Sequence, residues 1–442
     1  MAYRPATAIY ELGEAFYDPV KPAEFPETIL RYADEALAKS LGLPTDKEGW
    51  IAHFGRFEPL PDNLREPLAM RYHGHQFRHY NSDLGDGRGF LYAQLYDPQG
   101  RLLDLGTKGS GQTPYSRRGD GRLTLLGGVR EVLATRYLEH LGVNTSRSLS
   151  LIETGEELIR GDEPSPTRSA VLVRCNHSHI RFGTFQRHAF FTDRDAIESL
   201  IQYCLKHFYP DANDGADLLE QVCLKSADMV AGWMAAGFVH GVMNTDNMNI
   251  TGESFDYGPY RFLPTLKSGM TAAYFDHNGL YAFARQPESM YWNLAQLAQS
   301  LSLVTEDDTL LKALESFAPA YQRALRDHVF RRLGLQVTEL DKDTDFVLST
   351  FRLLEESQVS WPHFWHDWRG QASEKEIYGS GFKDWRKDYA QYESSCEGPD
   401  NDAPATLIYE EIGELWEPIA TRDDWSQLEG KLKSFERAPL SG

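Results

Sequence analysis

The residues with most chemical promise lie between positions 240 and 258. His240-Gly241-Val242-Met243-Asn244-Thr245-Asp246-Asn247 is followed shortly by Phe255-Asp256-Tyr257-Gly258. One carboxylate in such a run can take a proton from an attacking hydroxyl. An Asn and a second Asp can hold a divalent cation against phosphate oxygens. Upstream lie two glycine-dense runs, Leu84-Gly85-Asp86-Gly87-Arg88 and Gly119-Asp120-Gly121-Arg122, with Lys108-Gly109-Ser110-Gly111 between them. Dense glycine lets backbone N–H groups approach phosphates closely. Arg174 and Arg181 flank Cys175-Asn176-His177-Ser178-His179-Ile180, and guanidinium forks bind phosphate oxygens in pairs. The chemistry these types suggest is group transfer from a nucleoside triphosphate.

The comparison with phosphotransfer motifs of protein kinases is partial. There the proton acceptor stands five positions before the metal-binding Asn. The same step back from Asn247 reaches Val242, which cannot take a proton, so Asp246 is the nearest carboxylate. Asp256-Tyr257-Gly258 fits the metal-binding Asp-Phe-Gly triplet with Tyr for Phe. Each of these residues alone is equally a turn former; their order after His-Gly favours the site. Lys108 is a candidate phosphate partner, with Glu131 on the next helix available to pair with it. On pattern alone Glu131 fits a solvated helix face as well, and the two arginines fit surface salt bridges. His240 reads as a structural hydrogen-bonder.

These side chains need two kinds of support. Leu91, Ala93 and Leu95 alternate, Asp97-Pro98-Gln99-Gly100 turns, and Leu103 and Leu105 alternate again. That predicts a β-hairpin ending at Lys108. A helix is expected over about Leu123–Leu141, stopped by Gly142, and a strand over Ala170–Arg174. After about residue 193 the pattern turns helical: Asp195–Phe208, Asp217–Gly237, Met290–Leu303, Asp307–Leu333 and Asp343–Ser357. Two short helices, near Thr406–Trp416 and Asp423–Phe435, follow a loop-rich stretch from about Gln371 to Pro404. One amphipathic helix is expected near Thr28–Leu41. The fold class is therefore α+β, a sheet-rich unit followed by a helical one, as a protein-kinase-like bilobal (pseudokinase) fold would give. The expected division is an N-terminal extension over 1–60, an N-lobe over 61–192, a C-lobe over 193–370 and a tail over 371–442.

Bulk composition bounds the partners. The chain has 442 residues and a net charge of −20, from 45 Lys and Arg against 65 Asp and Glu. That balance argues against nucleic acid or an anionic membrane as partner, while allowing a local basic pocket. The four cysteines, Cys175, Cys204, Cys223 and Cys396, form no close pair, which suits a reducing compartment and no zinc site. No signal-like leader or apolar span is evident, so a cytoplasmic location is expected.

Taken together, these segments resemble the selenoprotein O family of protein adenylyltransferases. The resemblance is carried by Tyr72-His73-Gly74-His75-Gln76-Phe77, by Leu84–Arg88, and by Lys108-Gly109-Ser110-Gly111-Gln112-Thr113-Pro114-Tyr115-Ser116-Arg117. It continues through Gly119–Arg122, Arg130-Glu131, Arg181-Phe182-Gly183-Thr184-Phe185-Gln186, His240–Asn247, Asp256-Tyr257-Gly258-Pro259, Gln286-Pro287 and Trp292-Asn293-Leu294. It implies ATP bound in a flipped orientation, so that AMP is transferred to Ser, Thr or Tyr hydroxyls of proteins and pyrophosphate leaves. It also implies Asp246 as proton acceptor and Asn247 and Asp256 as ligands of Mg²⁺ or Mn²⁺. Gly85, Gly87, Arg88, Lys108, Asp120, Gly121, Arg174, Arg181 and Asp256 would then contact the nucleotide, with Glu131 orienting Lys108. Nearby cations are expected to keep Asp246 ionised. Some departures stand out. Arg78 and Gly89 replace the family's Gly and Ala, and Ala273-Tyr274-Phe275-Asp276 stands for an Asn-His-Ser-Asp type of run. No cysteine lies near the C-terminus to serve redox control. Competing readings are UMP transfer from UTP, a kinase moving the γ-phosphoryl, and a non-catalytic nucleotide-binding scaffold.

Overall fold

The computed structural model describes residues 2–161, 163–399 and 402–436. Its first part is built on a nine-stranded antiparallel sheet. The main path runs Tyr17–Pro19, Leu68–Met70, Leu91–Tyr96, Leu102–Lys108, Thr167–Asn176, Arg147–Leu158, Ile29–Ala33. Pro5–Ala6 pairs beside Leu91–Tyr96, and Leu123–Thr124 beside Thr167–Asn176. Alternation along the strands sorts side chains between two cores. Leu103, Leu105, Val171, Val173 and Cys175 face a small core with Trp50, Phe54 and Phe57. Leu102, Ala170 and Leu172 face the main core, where the helix Leu125–His140 packs. Register pairs Leu172 with Lys108 and Arg174 with Gly106. Residues opposite each other share a face, so Lys108 and Arg174 both point from the sheet toward the main core side.

The second part is helical: Phe182–Phe190, Arg194–His207, Gly215–Ala236, Gln286–Leu301, Asp307–Glu315, Phe317–Leu333, Leu340–Ser357 and Trp361–Asp367. Gly215–Ala236 is its axis. Asp214 caps it by accepting from Ala216 and Asp217 N–H, and Gly237 ends it in the left-handed conformation at φ 70°. The chain then makes two short strands, Phe238–Val239 and Arg261–Phe262. These clamp the ends of the intervening loop, which carries Asp246, Asn247 and Asp256.

Three expectations are corrected. The helix over Thr28–Leu41 is a strand, Ile29–Ala33, followed by a helix, Glu35–Leu41. Pairing with Arg147–Leu158 captures Ile29–Ala33, and Asp34 caps the helix through Leu37 N–H at 2.9 Å. The helix Asp307–Leu333 is two, Asp307–Glu315 and Phe317–Leu333, broken at Ser316. The stretch expected to be loop-rich holds the helix Lys383–Tyr389, which buries Trp385 and Tyr389. The expected tail beyond Glu436 lies outside the described residues. No described helix is long and apolar enough to cross a membrane.

Candidate functional site

Between the sheet and the helices lies a cavity of ≈ 710 Å³. Its walls carry eight cations, Arg88, Lys108, Arg117, Arg118, Arg122, Arg160, Arg174 and Arg181, against four carboxylates, Asp86, Asp120, Asp246 and Asp256. In a chain of net charge −20 this is a local inversion of sign, and low-dielectric walls concentrate such a field.

The deep end is made by the sheet. Lys108 Nζ donates to buried Glu131 and, at 2.8 Å, to Asp256 Oδ1. Arg174 Nη1 stands 3.6 Å from the same oxygen. The Phe255 ring supports both Arg174 and Arg181, with guanidinium carbons 5.0 and 5.1 Å from its centroid. Arg181 is also 4.4 Å over Tyr72, donates to the Asp246 carbonyl at 3.1 Å, and reaches Asp86 Oδ1 at 3.2 Å. Burial alone would raise the Asp256 carboxyl, but Lys108, Arg174 and Arg181 outweigh it and hold Asp256 well below the usual carboxylate range.

The helical half supplies Asp246 in a single 3₁₀ turn, Thr245–Asn247. Thr245 Oγ1 accepts from His75 N–H at 2.7 Å and donates to Gln186 Oε1 at 2.5 Å. These bonds fasten the turn to the hairpin Gly74–Gln76 and His79–Asn81 and to the helix Phe182–Phe190. A β-carbon at Gly74 would stand 2.9 Å from Asp246 Oδ1, so only glycine lets this strand lie against the carboxylate. Asp246 Oδ1 is buried and has no hydrogen-bond partner in the structure. Burial pushes its carboxyl up to about 7, with Arg181 pulling the other way. Of these opposing effects on Asp246, desolvation is the larger.

Every residue singled out from the sequence except Glu131 lines this cavity: Gly85, Gly87, Arg88, Lys108, Asp120, Gly121, Arg174, Arg181, Asp246, Asn247 and Asp256. Glu131 stands behind Lys108. Gly85 passes under the Tyr115 ring, where a β-carbon would come within 2.3 Å. Asp120 is already engaged, with its Oδ2 2.9 Å from Arg160 Nη1 and its Oδ1 accepting from Arg122 N–H. Sequence reasoning missed Asp86, Arg117, Arg118 and Arg160. Asp86 and Arg117 lie inside stretches already singled out and Arg118 falls just between two of them; Arg160 sits in a hairpin connection that no local signal ties to the site.

Several buried polar atoms here lack partners: Arg174 Nε and Nη1, Arg181 Nε and Asp246 Oδ1. Buried polar groups are normally satisfied, so this concentration marks a place built for a polar ligand. Among the described residues no cluster of three His, Cys, Asp or Glu could hold a metal alone. Asn247 spends its amide N–H on the Val242 carbonyl at 3.0 Å, leaving Oδ1 for a cation. A small divalent ion bound by one or two protein oxygens and completed by phosphate oxygens fits this donor set.

Comparison with known proteins identifies the family. The family model described as protein adenylyltransferase SelO matches residues 1–436. A Synechocystis protein named protein nucleotidyltransferase YdiU is 43% identical, with 99% of this chain and 98% of that one covered. A Trichodesmium erythraeum protein of the same name is 46% identical, with 98% of each covered. One from Pseudomonas paraeruginosa is 38% identical over 83% of this chain and 76% of its own. The chain belongs to the SelO family and is an enzyme of the protein nucleotidyltransferase class.

Proposed function

We propose that this enzyme transfers AMP from ATP to Ser, Thr and Tyr hydroxyls of proteins, releasing pyrophosphate, on a kinase-like two-lobed fold. The observation that carries the reading is one cavity lined both by sheet-borne cations and by the Asp246–Asp256 loop. The N-lobe would span about 61–192 and the C-lobe about 193–370, with 1–60 and 371–442 as extensions. Cysteines 175, 204, 223 and 396 are unpaired, which supports a cytoplasmic setting.

In this reading Lys108, Arg174 and Arg181 receive the β- and γ-phosphates, and Glu131 keeps Lys108 aimed. The contacts of Lys108 and Arg174 with Asp256 would be exchanged for the triphosphate. The glycines at 85, 87 and 121 let backbone approach the nucleotide, with Arg88 and Asp120 beside it. Asn247 and Asp256 would hold Mg²⁺ or Mn²⁺, which supplies neutralisation of phosphate charge when bound. The acceptor hydroxyl oxygen bonds to the α-phosphorus, its proton passes to Asp246, and the bond from that phosphorus to pyrophosphate breaks. Charge accumulating on pyrophosphate meets the fixed guanidinium and ammonium groups, so little reorganisation is required. A free Asp246 oxygen raised toward neutrality is a base strong enough to take that proton.

ATP labelled separately at the α and γ positions tests the reading. Label from the α position should stay on protein, with an AMP-sized mass addition; γ label alone would defeat it.

A further inference from the structure

The exposed end of the cavity is lined by an ion pair, Arg160 with Asp120, whose arginine has no part in the transfer chemistry. Arg160, in the connection after the strand Arg147–Leu158, points both guanidinium nitrogens at Asp120. Nη1 stands 2.9 Å from Oδ2, and Nη2 donates to Oδ1 at 3.0 Å. Ser165 Oγ accepts from Arg160 N–H at 2.8 Å and donates to its carbonyl at 2.9 Å, fixing the backbone from which the side chain extends. Asp120 is half exposed and Arg160 a quarter exposed, at 48% and 25% of their side chains, whereas Lys108, Arg174 and Arg181 are at 5–7%. With the phosphates held at the buried end, the exposed end is where the base and sugar of the nucleotide must lie.

We propose that Arg160 and Asp120 together read the base edge, so that Arg160 is a determinant of which nucleotide is used. This rests on the nucleotide-transfer reading of the same cavity. A carboxylate accepts from an exocyclic amino group, as on adenine and cytosine. A guanidinium donates to an exocyclic carbonyl, as on uracil and hypoxanthine. Each group of the pair keeps spare capacity: a carboxylate accepts about four bonds and a guanidinium donates five. The intact pair therefore serves both kinds of edge. Removing Arg160 leaves an acceptor alone, and removing Asp120 leaves donors alone.

The test is calorimetric binding of α,β-methylene analogues of CTP and UTP, and of ATP and ITP, with Mg²⁺ present. Within each pair the exocyclic group changes from amino to oxo. Arg160→Ala should raise the amino-to-oxo affinity ratio, by about fivefold or more, in both pairs. Asp120→Ala should lower it by a similar factor. Shifts in the same direction for both variants, or unchanged ratios, would overturn the assignment. Arg160→Lys, which retains a charged donor, should stand between wild type and Arg160→Ala; a ratio equal to that of Arg160→Ala counts against the donor argument. These ratios do not depend on which phosphorus reacts. A result in which γ label alone is transferred would sink adenylylation while leaving the base-reading outcome standing on its own data.

Discussion

Asp246 and Asp256 line one cavity, yet burial raises the carboxyl of the first to about 7 while neighbouring cations lower that of the second. Asp256 touches Lys108 and Arg174, whereas Asp246 Oδ1 is buried with no hydrogen-bond partner. In the proposed mechanism Asp256 holds a cation and Asp246 takes a proton. Asp246→Ala should therefore slow AMP transfer by about 10²-fold or more. Nucleotide affinity should stay within about threefold, since in this reading Asp246 meets the acceptor rather than the phosphates. Single-turnover transfer from α-labelled ATP and calorimetry separate the two quantities. A second carboxyl, Glu253, is a different case. It is buried behind Arg174, accepts from His177 N–H at 2.9 Å, and is pushed by burial from 4.5 up to about 7. Because its folded value lies above its unfolded one, Glu253 is harmless to stability below about pH 4.5. The cost accumulates as pH rises from there to about 7. Denaturant titrations across that window should show wild type losing about 3 kcal/mol relative to Glu253→Gln; parallel curves would count against a buried, protonated Glu253.

At the scale of elements, close backbone approach sets the site. Gly89 follows the first glycine run, and a β-carbon there would stand 2.0 Å from the Thr107 carbonyl, which is backbone and cannot swing away. Gly89→Ala should force Phe90 and Thr107 apart, breaking the 2.9 Å bond from Thr107 N–H to the Phe90 carbonyl. The expected loss is about 1–3 kcal/mol in urea denaturation, with weaker ATP binding because Lys108 is the next residue along the displaced strand. The sequence announced the hairpin through period-two alternation and the long helices through their stripes and caps, and apart from the break at Ser316 those elements stand within a few residues of their expected bounds. It did not announce the strand Ile29–Ala33, whose apolar run is helix-like until a partner strand claims it, nor Arg160, which joins the site only through the fold. Asp246 and Asp256 were legible as residue types in order. Their contrasting environments were not, because burial and the reach of Lys108 and Arg174 are tertiary facts.

Over the whole molecule, a triphosphate would span both halves, touching Lys108, Arg174 and Arg181 on one side and the Asp246–Asp256 loop on the other. Ligand binding should therefore stabilise the chain as one unit. ATP with Mg²⁺ at a hundred times its Kd is expected to add about 2.7 kcal/mol, read as a single shifted unfolding transition. Chelation of the metal should remove part of that gain, and raised salt should weaken it through screening. Two separate transitions, only one of them moved by nucleotide, would contradict a ligand that joins the halves. The same sheet is also tied to remote stretches of chain. Strands at Pro5–Ala6, Tyr17–Pro19 and Ile29–Ala33 extend it. From the other direction, Phe435 packs on Tyr137 at 5.0 Å and its carbonyl meets His140 Nδ1 at 2.8 Å. Asp423 pairs with Arg31 and Arg168 at 3.0 and 2.7 Å.

Such closure makes the sheet half non-portable. Grafting residues 61–192 onto another scaffold would carry the glycine runs and Lys108 but strip three strands of the sheet, Arg31 with one of them, and the clasp on the helix that bears Glu131. Contacts so distant along the chain also make assembly slow, so swapping pieces between relatives should work only when the far ends travel with the middle.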